Sequence, residues 1–504
     1  MLVLSFFHRL LAYFFCNFAP LFMDRNTITG FSLIFLILIG YYWYTAPTAE
    51  QQAIFQRQRD SVARVEAAKV TSPTPAKSSS GAISEAASPI KDSALLSTIG
   101  RFASQLQGKP GLVQLKSKEL SVDIRLKGGN IGRVVLNNHR RSDSSVLELL
   151  SNQLNDNQWA FELYTSNGPL NSADFYWNVV SQTENHVTLR LGDTSRYIDQ
   201  IYSLAADGFT VKHDLKLKGI DEIVKSRNSG IKITWRAQLQ KQEKDIKWEM
   251  QNTTVVYRLH GEDADKLDLA SPANEELKNN LDWFGFKQQY FSVMMVADSG
   301  FSSDAKIAWK ETKEANRIKD LNAEVYVDFE RQPLKEYGFS YYFGPNQFYT
   351  MKEAQVGMPN AGLESTIPLG WGIFGWVNRY AVIPVFHALD GVIGSMGIII
   401  LLLTVIIKTA LLPLVYKSYI STAKMRILKP EIDVIKEKHG SDMQKMQQEN
   451  MALYRKAGVS PMSGCVPVLL QMPILFAMFQ FFPNAFELRQ KAFMWATDLS
   501  QFDG

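Results

Sequence analysis

One lysine poses the sharpest chemical question in this chain. Lys408 lies inside Gly397–Tyr416 (GIIILLLTVIIKTALLPLVY), about 20 residues with no other charge. An ionisable side chain in mid-bilayer costs at least ~2.5 kcal/mol, so it is expected to face a polar cavity or a partner. Snorkelling is the competing reading. Lys408 stands about eight residues from Tyr416, roughly 12 Å along a helix, and a lysine stem covers only about half of that. Thr404 sits one turn earlier on the same helical face, and Gln471 lies in another apolar run, Cys465–Phe482. No acid occurs in the apolar runs, which leaves no internal ion pair among them. A water-filled groove holding Lys408, Thr404 and Gln471 fits better.

Other chemistry finds little support. His139, His186, His213 and His260 are scattered without metal-ligand spacing, and His213 on an apolar face reads as a satisfied core histidine. Cys16 and Cys465 have neither a disulfide partner nor CxxC spacing. No metal, cofactor or catalytic residue is therefore predicted. GWGIFG, with Gly370, Gly372 and Gly375, spells GxGxxG, but a dinucleotide loop requires a preceding strand and a following βαβ unit. Here Trp371, Phe374 and Trp376 crowd the glycines. A net charge of +4 over 504 residues argues against nucleic-acid binding.

Three apolar runs are long enough to cross a bilayer: Ile28–Tyr44, Gly397–Tyr416 and Cys465–Phe482. The first closes on an aromatic belt, Tyr41 to Tyr44. Between the second and third lies a short basic stretch whose cations include Lys424, Arg426, Lys436, Lys438, Arg455 and Lys456. Such loops stay in the cytoplasm, which places the long segment before the second run outside. The stretch reads as a helical hairpin. One helix starts near Pro430 and ends at His439-Gly440; Ser441 and Gln444 form a capping box for the next. Its charges are either a solvated face or a docking surface for acidic partners. Trp371 to Leu389 suits an aromatic amphipathic helix in the outer interface, with Arg379 and His387 at the head groups. Packing against the external domain is the alternative.

The external segment divides in two. Residues 45–108 are rich in Ser, Ala and Pro and predict a flexible tether. Beyond them, Val187, Leu189 and Leu191, and then Val211, His213, Leu215 and Leu217, alternate with polar residues as half-buried strands do. Ala206-Asp207-Gly208 reads as the turn between two strands. Many short strands at close spacing predict a large sandwich.

The longest motifs resemble one family. TVIIKTALLPL, YISTAKMRILKPEI and ENMALYRKAGVSPMSGCVPVLLQMPILFAMFQFF resemble the second span, first hairpin helix, and second hairpin helix with third span of the YidC/Oxidase-assembly/Albino membrane protein insertases. ELRQKAFMWATDLS resembles the outer loop that follows. FGFKQQYFS (Phe284 to Ser292), YGFSYYFGP (Tyr337 to Pro345), and the first span with its tether are similar to the Gram-negative form.

The resemblance implies a multi-pass α-helical protein of the bacterial inner membrane, with a large all-β supersandwich periplasmic domain and a cytoplasmic helical hairpin. Mapped onto this chain, that is a lead at 1–27, spans at 28–44, 397–416 and 462–483, and a linker at 45–108. The supersandwich covers 109–369, the interfacial helix 370–396, the hairpin 417–461 and the outer loop 484–504. The implied activity is non-enzymatic and needs no cofactor. A positively charged groove, open to cytoplasm and lipid, would lower the desolvation cost of a client's polar segment while its apolar span slides into lipid. Implied partners are nascent membrane proteins, the lipid bilayer, the Sec translocon and, at the hairpin, the ribosome and signal-recognition-particle receptor. The family's groove cation is usually arginine; Lys408 keeps the charge but loses the planar fork. Family members continue with further spans that close the groove. A chain stopping at Gly504 is thus expected to hold about half of that membrane core and not to insert clients alone. Two other readings compete. A membrane-tethered carbohydrate-binding protein lacks a His/Glu constellation, and a transporter would need more than one cation without an acid.

Residues 1–22 are apolar enough to enter a membrane, and a span there would export the basic loop. Met23 is therefore the predicted start. Mass spectrometry of the mature amino terminus should find no peptide containing Phe6 or Phe14; their detection would establish the extension.

Overall fold

The computed structural model describes residues 100–501 apart from 154–155, 166–167, 225–229, 315, 355, 441 and 459–465. The first apolar run, residues 45–99 of the expected tether, Met23, Cys16 and Cys465 lie outside the described residues. At the far end of that tether Gly100–Gln105 form a 3-10 turn, and Phe102 is buried in the sandwich core. Everything described belongs to one compact unit, Asp92–Gln501.

Period-two alternation builds three antiparallel sheets. In the largest, nine strands run in the order Ala264–Lys266, Thr254–Leu259, Leu281–Lys287, Phe291–Phe301, Leu334–Pro345, Thr210–Lys218, Tyr197–Leu204, His186–Gly192, Asn178–Gln182. The second has six, in the order Ala273–Leu277, Ala305–Glu311, Arg317–Val327, Ile231–Gln240, Asn157–Thr165, Gly168–Asn171. A four-stranded meander spans Leu112–Lys116, Leu120–Arg125, Ile131–Arg140 and Val146–Leu150. The hairpin expected at Ala206-Asp207-Gly208 is present: Val211 pairs with Leu204, and Gly208 takes φ +100°, open to glycine at little cost.

The two larger sheets face each other across one apolar core. Trp235 of the six-stranded sheet sets its ring 5.2 Å from Phe286 and 5.6 Å from Tyr341 of the nine-stranded sheet. Strand Leu281–Lys287 (LDWFGFK) is buried at every position. Its two faces are both covered, so alternation disappears there. One face joins the sandwich core; the other, through Trp283, Met294, Val296 and Tyr342, meets the helices.

The helices among the described residues are α1 (Ile246–Gln251), α2 (Phe348–Lys352), α3 (Gly372–Val377), α4 (Ile383–Asp390), α5 (Met396–Ile427), α6 (Lys429–His439), α7 (Met443–Lys456) and α8 (Val466–Phe481). A π-helical turn, Asn378–Val382, joins α3 to α4. Helix α5 runs on past Tyr416 to Ile427, and among the described residues it is the helix long and apolar enough to cross a membrane. At the start of α7, Asp442 accepts from the Lys445 N–H at 3.1 Å. The cap thus falls on Asp442, where a carboxylate also meets the positive end of the helix; Ser441 is outside the described residues.

His213 lies fully inside the sandwich. Its ring stacks on Tyr202 at 4.3 Å, and its Nδ1 is 3.3 Å from the Tyr341 hydroxyl. Burial lowers it from its ordinary value to about 3. The unfolded chain therefore binds more protons between pH 3 and 6.5, and stability falls as pH drops through that window. Thermal unfolding of the wild type is expected to lose midpoint more steeply from pH 6.5 to 4.5 than that of His213→Phe. Parallel slopes would show that this ring does not couple to folding.

Candidate functional site

Helix α5 carries the residues singled out for chemistry. Ile399, Leu403 and Leu411 recur at helical spacing and are buried, which orients the helix on its neighbours α4 and α8. Thr404 and Lys408 stand one turn apart on an exposed part of its surface. The Thr404 hydroxyl donates to the Ile400 carbonyl of its own helix at 2.9 Å. Lys408 has neither an ion pair nor a hydrogen bond among the described residues. Around them Leu401, Val405, Ile406, Leu412 and Val415 are exposed, an apolar surface on which a cation is out of place in lipid. Gln471 is half-buried on α8, and no hydrogen bond joins it to Thr404 or Lys408 among the described residues. The pair on α5 is therefore set by helical spacing, while Gln471 stands on a second helix, α8.

Trp371, Ile373, Trp376 and Tyr380 form an exposed aromatic-rich stripe, with Trp371 80% and Trp376 61% accessible. Arg379 is exposed beside them, and Phe374 leans on Phe476 of α8 at 5.6 Å. The opposite face, with Val382, Ile383 and Phe386, is buried. The His387 ring lies tilted against Tyr349, with ring centres 4.3 Å apart. This segment thus both packs on the domain and leaves one face open. Sequence reasoning missed its anchor, Asn378. Its Nδ2 donates at 2.7 Å to the carbonyls of Leu369 and Ala477, bridging α8 at the π turn. In GWGIFG the glycines make a tight turn. Gly370 has φ +95°, and a Cβ on Gly375 would lie 2.3 Å from the Gly370 carbonyl oxygen.

Lys424, Arg426, Lys436, Lys438, Arg455 and Lys456 are all exposed on α5, α6 and α7. Of these six, Lys438 alone has an ion pair among the described residues, with Glu449 at 3.3 Å. His439 reaches the same carboxylate at 2.8 Å and ties α6 to α7.

The segment after α8 returns to the β domain, a feature that sequence periodicity does not reveal. Arg489 donates from Nε to Glu243 Oε1 at 2.7 Å and from Nη2 to the Arg140 carbonyl at 2.7 Å, with both charged side chains buried. Burial raises the Glu243 carboxyl, and Arg489 opposes that shift. Phe486 inserts among His139, Phe291 and Tyr290 at 5.3, 5.5 and 6.5 Å. The motifs FGFKQQYFS and YGFSYYFGP meet beneath it. Asn346 Nδ2 donates to the carbonyls of Gln288 and Gln289, Ser292 Oγ donates to Asn346 Oδ1 at 2.5 Å, and the Tyr290 hydroxyl donates to the Pro483 carbonyl. Farther along, the ring of Phe493 occupies the space a side chain on Gly397 would need, 2.0 Å from an ideal Cβ. The signal was available only as motif resemblance on both partners.

Residues 112–381 match the model of the YidC periplasmic domain, and residues 388–504 that of the 60Kd inner membrane protein. A membrane protein insertase YidC from Bacteroides fragilis is 36% identical over 488 residues, covering 95% of this chain and 77% of that protein. Those from Parabacteroides distasonis and Porphyromonas gingivalis are 34% and 32% identical, covering 95% of this chain and 77% and 78% of theirs. The chain belongs to the YidC family of membrane protein insertases. A crystal structure of an active YidC insertase is similar with a TM-score of 0.27 and 17% identity, over 80% of each chain. A GalM/aldose epimerase homologue from C. elegans has a TM-score of 0.31 and 9% identity, over 47% of this chain and 99% of its own.

As in the family, an all-β periplasmic sandwich is joined to a helical C-terminal region, and the two family matches meet near the start of α4. Leaving a buried charge unpaired costs about 3–5 kcal/mol. Arg489→Met should therefore destabilise the protein by roughly that amount in chemical denaturation and expose residues 489–501 to protease. Adding Glu243→Gln should recover much of the loss. No recovery in the double variant would show that Arg489 acts through packing on Phe291 alone.

Proposed function

We propose that this YidC-family chain inserts and helps fold inner-membrane proteins through a polar groove in which Lys408 supplies the charge and Thr404 and Gln471 supply hydrogen-bonding groups. The observation that carries this reading is Lys408: a cation with no partner among the described residues, exposed amid apolar side chains on the helix long enough to span a bilayer. In lipid that arrangement costs at least ~2.5 kcal/mol unless a wetted cavity or an anionic segment meets it. The groove opens to the cytoplasm and to lipid. A client's polar external segment enters it, exchanges hydration for the polar groups, and loses less solvation free energy than in bare hydrocarbon. Its apolar span then passes into the bilayer beside α5 and α8. No covalent chemistry is required, and the protein acts without a cofactor.

In this reading the chain is multi-pass, α5 and α8 both cross the membrane, and α3 and α4 lie in the periplasmic interface with Trp371, Trp376 and Arg379 toward the head groups. The α6–α7 hairpin is cytoplasmic by its excess of lysine and arginine. Lys424, Arg426, Lys436, Arg455 and Lys456 leave it a basic surface for the ribosome or the signal-recognition-particle receptor. Insertion proceeds alone or with the Sec translocon.

Inner-membrane vesicles test the charge, each variant being carried, as their sole insertase of this family, in a chain extended by the family's groove-closing spans. Lys408→Arg should insert a client with an acidic external segment nearly as well as wild type. Lys408→Ala should be reduced, and Lys408→Glu reduced by roughly tenfold or more, since one like charge at low dielectric is worth more than 1.4 kcal/mol. Full activity of Lys408→Glu toward that client would sink the electrostatic mechanism.

A further inference from the structure

A cavity of about 400 Å³ opens where the four-stranded and six-stranded sheets meet, far in sequence from the helices. That volume suits a small ligand. Its lining includes Arg125, Lys127, Asn130, Gln158, Trp159 and Asn171, and no acid. We propose that it binds a small carboxylate-bearing ligand that also offers a neighbouring N–H or O–H.

Arg125 is 5% exposed, and its Nη1 and Nη2 donate to the carbonyls of Asn157 (3.0 Å) and Ser151 (3.2 Å). Among the described residues no carboxylate pairs with it. The contrast within the same domain is sharp: Arg190, Arg236 and Arg258 each pair with a buried aspartate, Asp199, Asp320 and Asp282. A buried cation ordinarily has such a counter-charge. Burial alone lowers the Arg125 guanidinium to about 10. Lys127 adds a second cation; its ammonium donates to the Asp174 carbonyl at 2.5 Å and lies 4.5 Å from the Tyr176 ring centre.

One further lining group is left without a partner. Asn130 Nδ2 donates to the Trp159 carbonyl at 2.7 Å, which orients the amide, yet its Oδ1 is buried with no hydrogen bond, and the residue is 4% exposed. The Trp159 ring itself turns the other way, into the sandwich core, 5.5 Å from the His213 ring centre. Orphaned buried polar atoms are rare and costly in folded proteins. Here the orphan is a carbonyl acceptor in a cavity that also holds two cations. An anionic oxygen would answer the cations, and an adjacent donor would answer Asn130. The turn that carries Lys127 and Asn130 is held in place. Gly129 takes φ +64°, and a Cβ there would lie 2.3 Å from Gln200 Nε2. The cavity is therefore built before any ligand arrives.

An acidic peptide and an acidic sugar share this chemistry. Saturation-transfer NMR and titration on the full chain in nanodiscs separate them, using N-acetyl-aspartate N-methylamide and glucuronate. N-acetyl-asparagine N-methylamide and glucose are their uncharged counterparts. At least one carboxylate probe should bind, its uncharged counterpart roughly tenfold or more weaker. Binding of the aspartate probe identifies a peptide source, and binding of glucuronate alone a sugar source. Lys127→Glu alters a half-exposed residue and should weaken binding about tenfold or more at an unchanged unfolding midpoint; Arg125→Gln should abolish it. The proposal is overturned if neither carboxylate binds, if the uncharged analogues bind equally, or if a folded Lys127→Glu binds as wild type. None of these residues lies on the helices, so such a result would leave the insertase mechanism standing.

Discussion

The Arg489–Glu243 pair joins chain segments 246 residues apart, in a place where neither charge can keep its water. Taking two ions out of solvent costs several kcal/mol each, and their attraction offsets this only when geometry and further hydrogen bonds are good. Those conditions are met: Arg489 reaches Glu243 and the Arg140 carbonyl together, and its guanidinium lies 5.0 Å from the Phe291 ring centre. Phe486, one turn earlier, excludes solvent from the pair. The outer end of α8 is thereby held to the sheet, and α3, α4 and α5 are placed by packing against α8 and one another. This contact and the apolar face formed by Trp283, Met294, Val296 and Tyr342 together seat the helical side on the sheet.

Around that anchor the protein divides its apolar surface by environment. Strand Leu281–Lys287 is buried on both faces because sheet and helices cover it. Helices α5 and α8 leave Leu401, Val405, Leu412, Val468, Leu469 and Phe479 exposed. In water such a surface would drive association; a bilayer offers it an apolar solvent. Lys408 and Thr404 interrupt it with polarity at helical spacing, and Asn378 at the π turn donates to the carbonyls of Leu369 and Ala477, tying that turn to α8. The polar groups on this side are few, and they sit where helices meet or where an aqueous groove would run.

Much was legible from residues alone. The β class followed from alternation, which appears as burial at Val187, Leu189, Leu191, Val211, Leu215 and Leu217. So did the core position of His213 and the apolar helix bearing Lys408, because each depends on spacing along one segment. The helical hairpin's punctuation was visible at Pro430 and His439-Gly440, while its second cap shifted to Asp442 because a nearby carboxylate competes well for that N–H.

What sequence by itself determined is therefore local: which residues alternate, which stretches prefer lipid, and that a single cation stands among them. Tertiary structure alone decided the pairings that no period encodes. Glu243 and Arg489, Asn378 and Ala477, Phe493 and Gly397 each meet because the chain returns on itself across many residues. Loop closure over such distances leaves no periodic trace, since its entropy grows only slowly with length and any register could close it. The choice falls to burial, where an unpaired charge or a misplaced ring is penalised and one arrangement satisfies both.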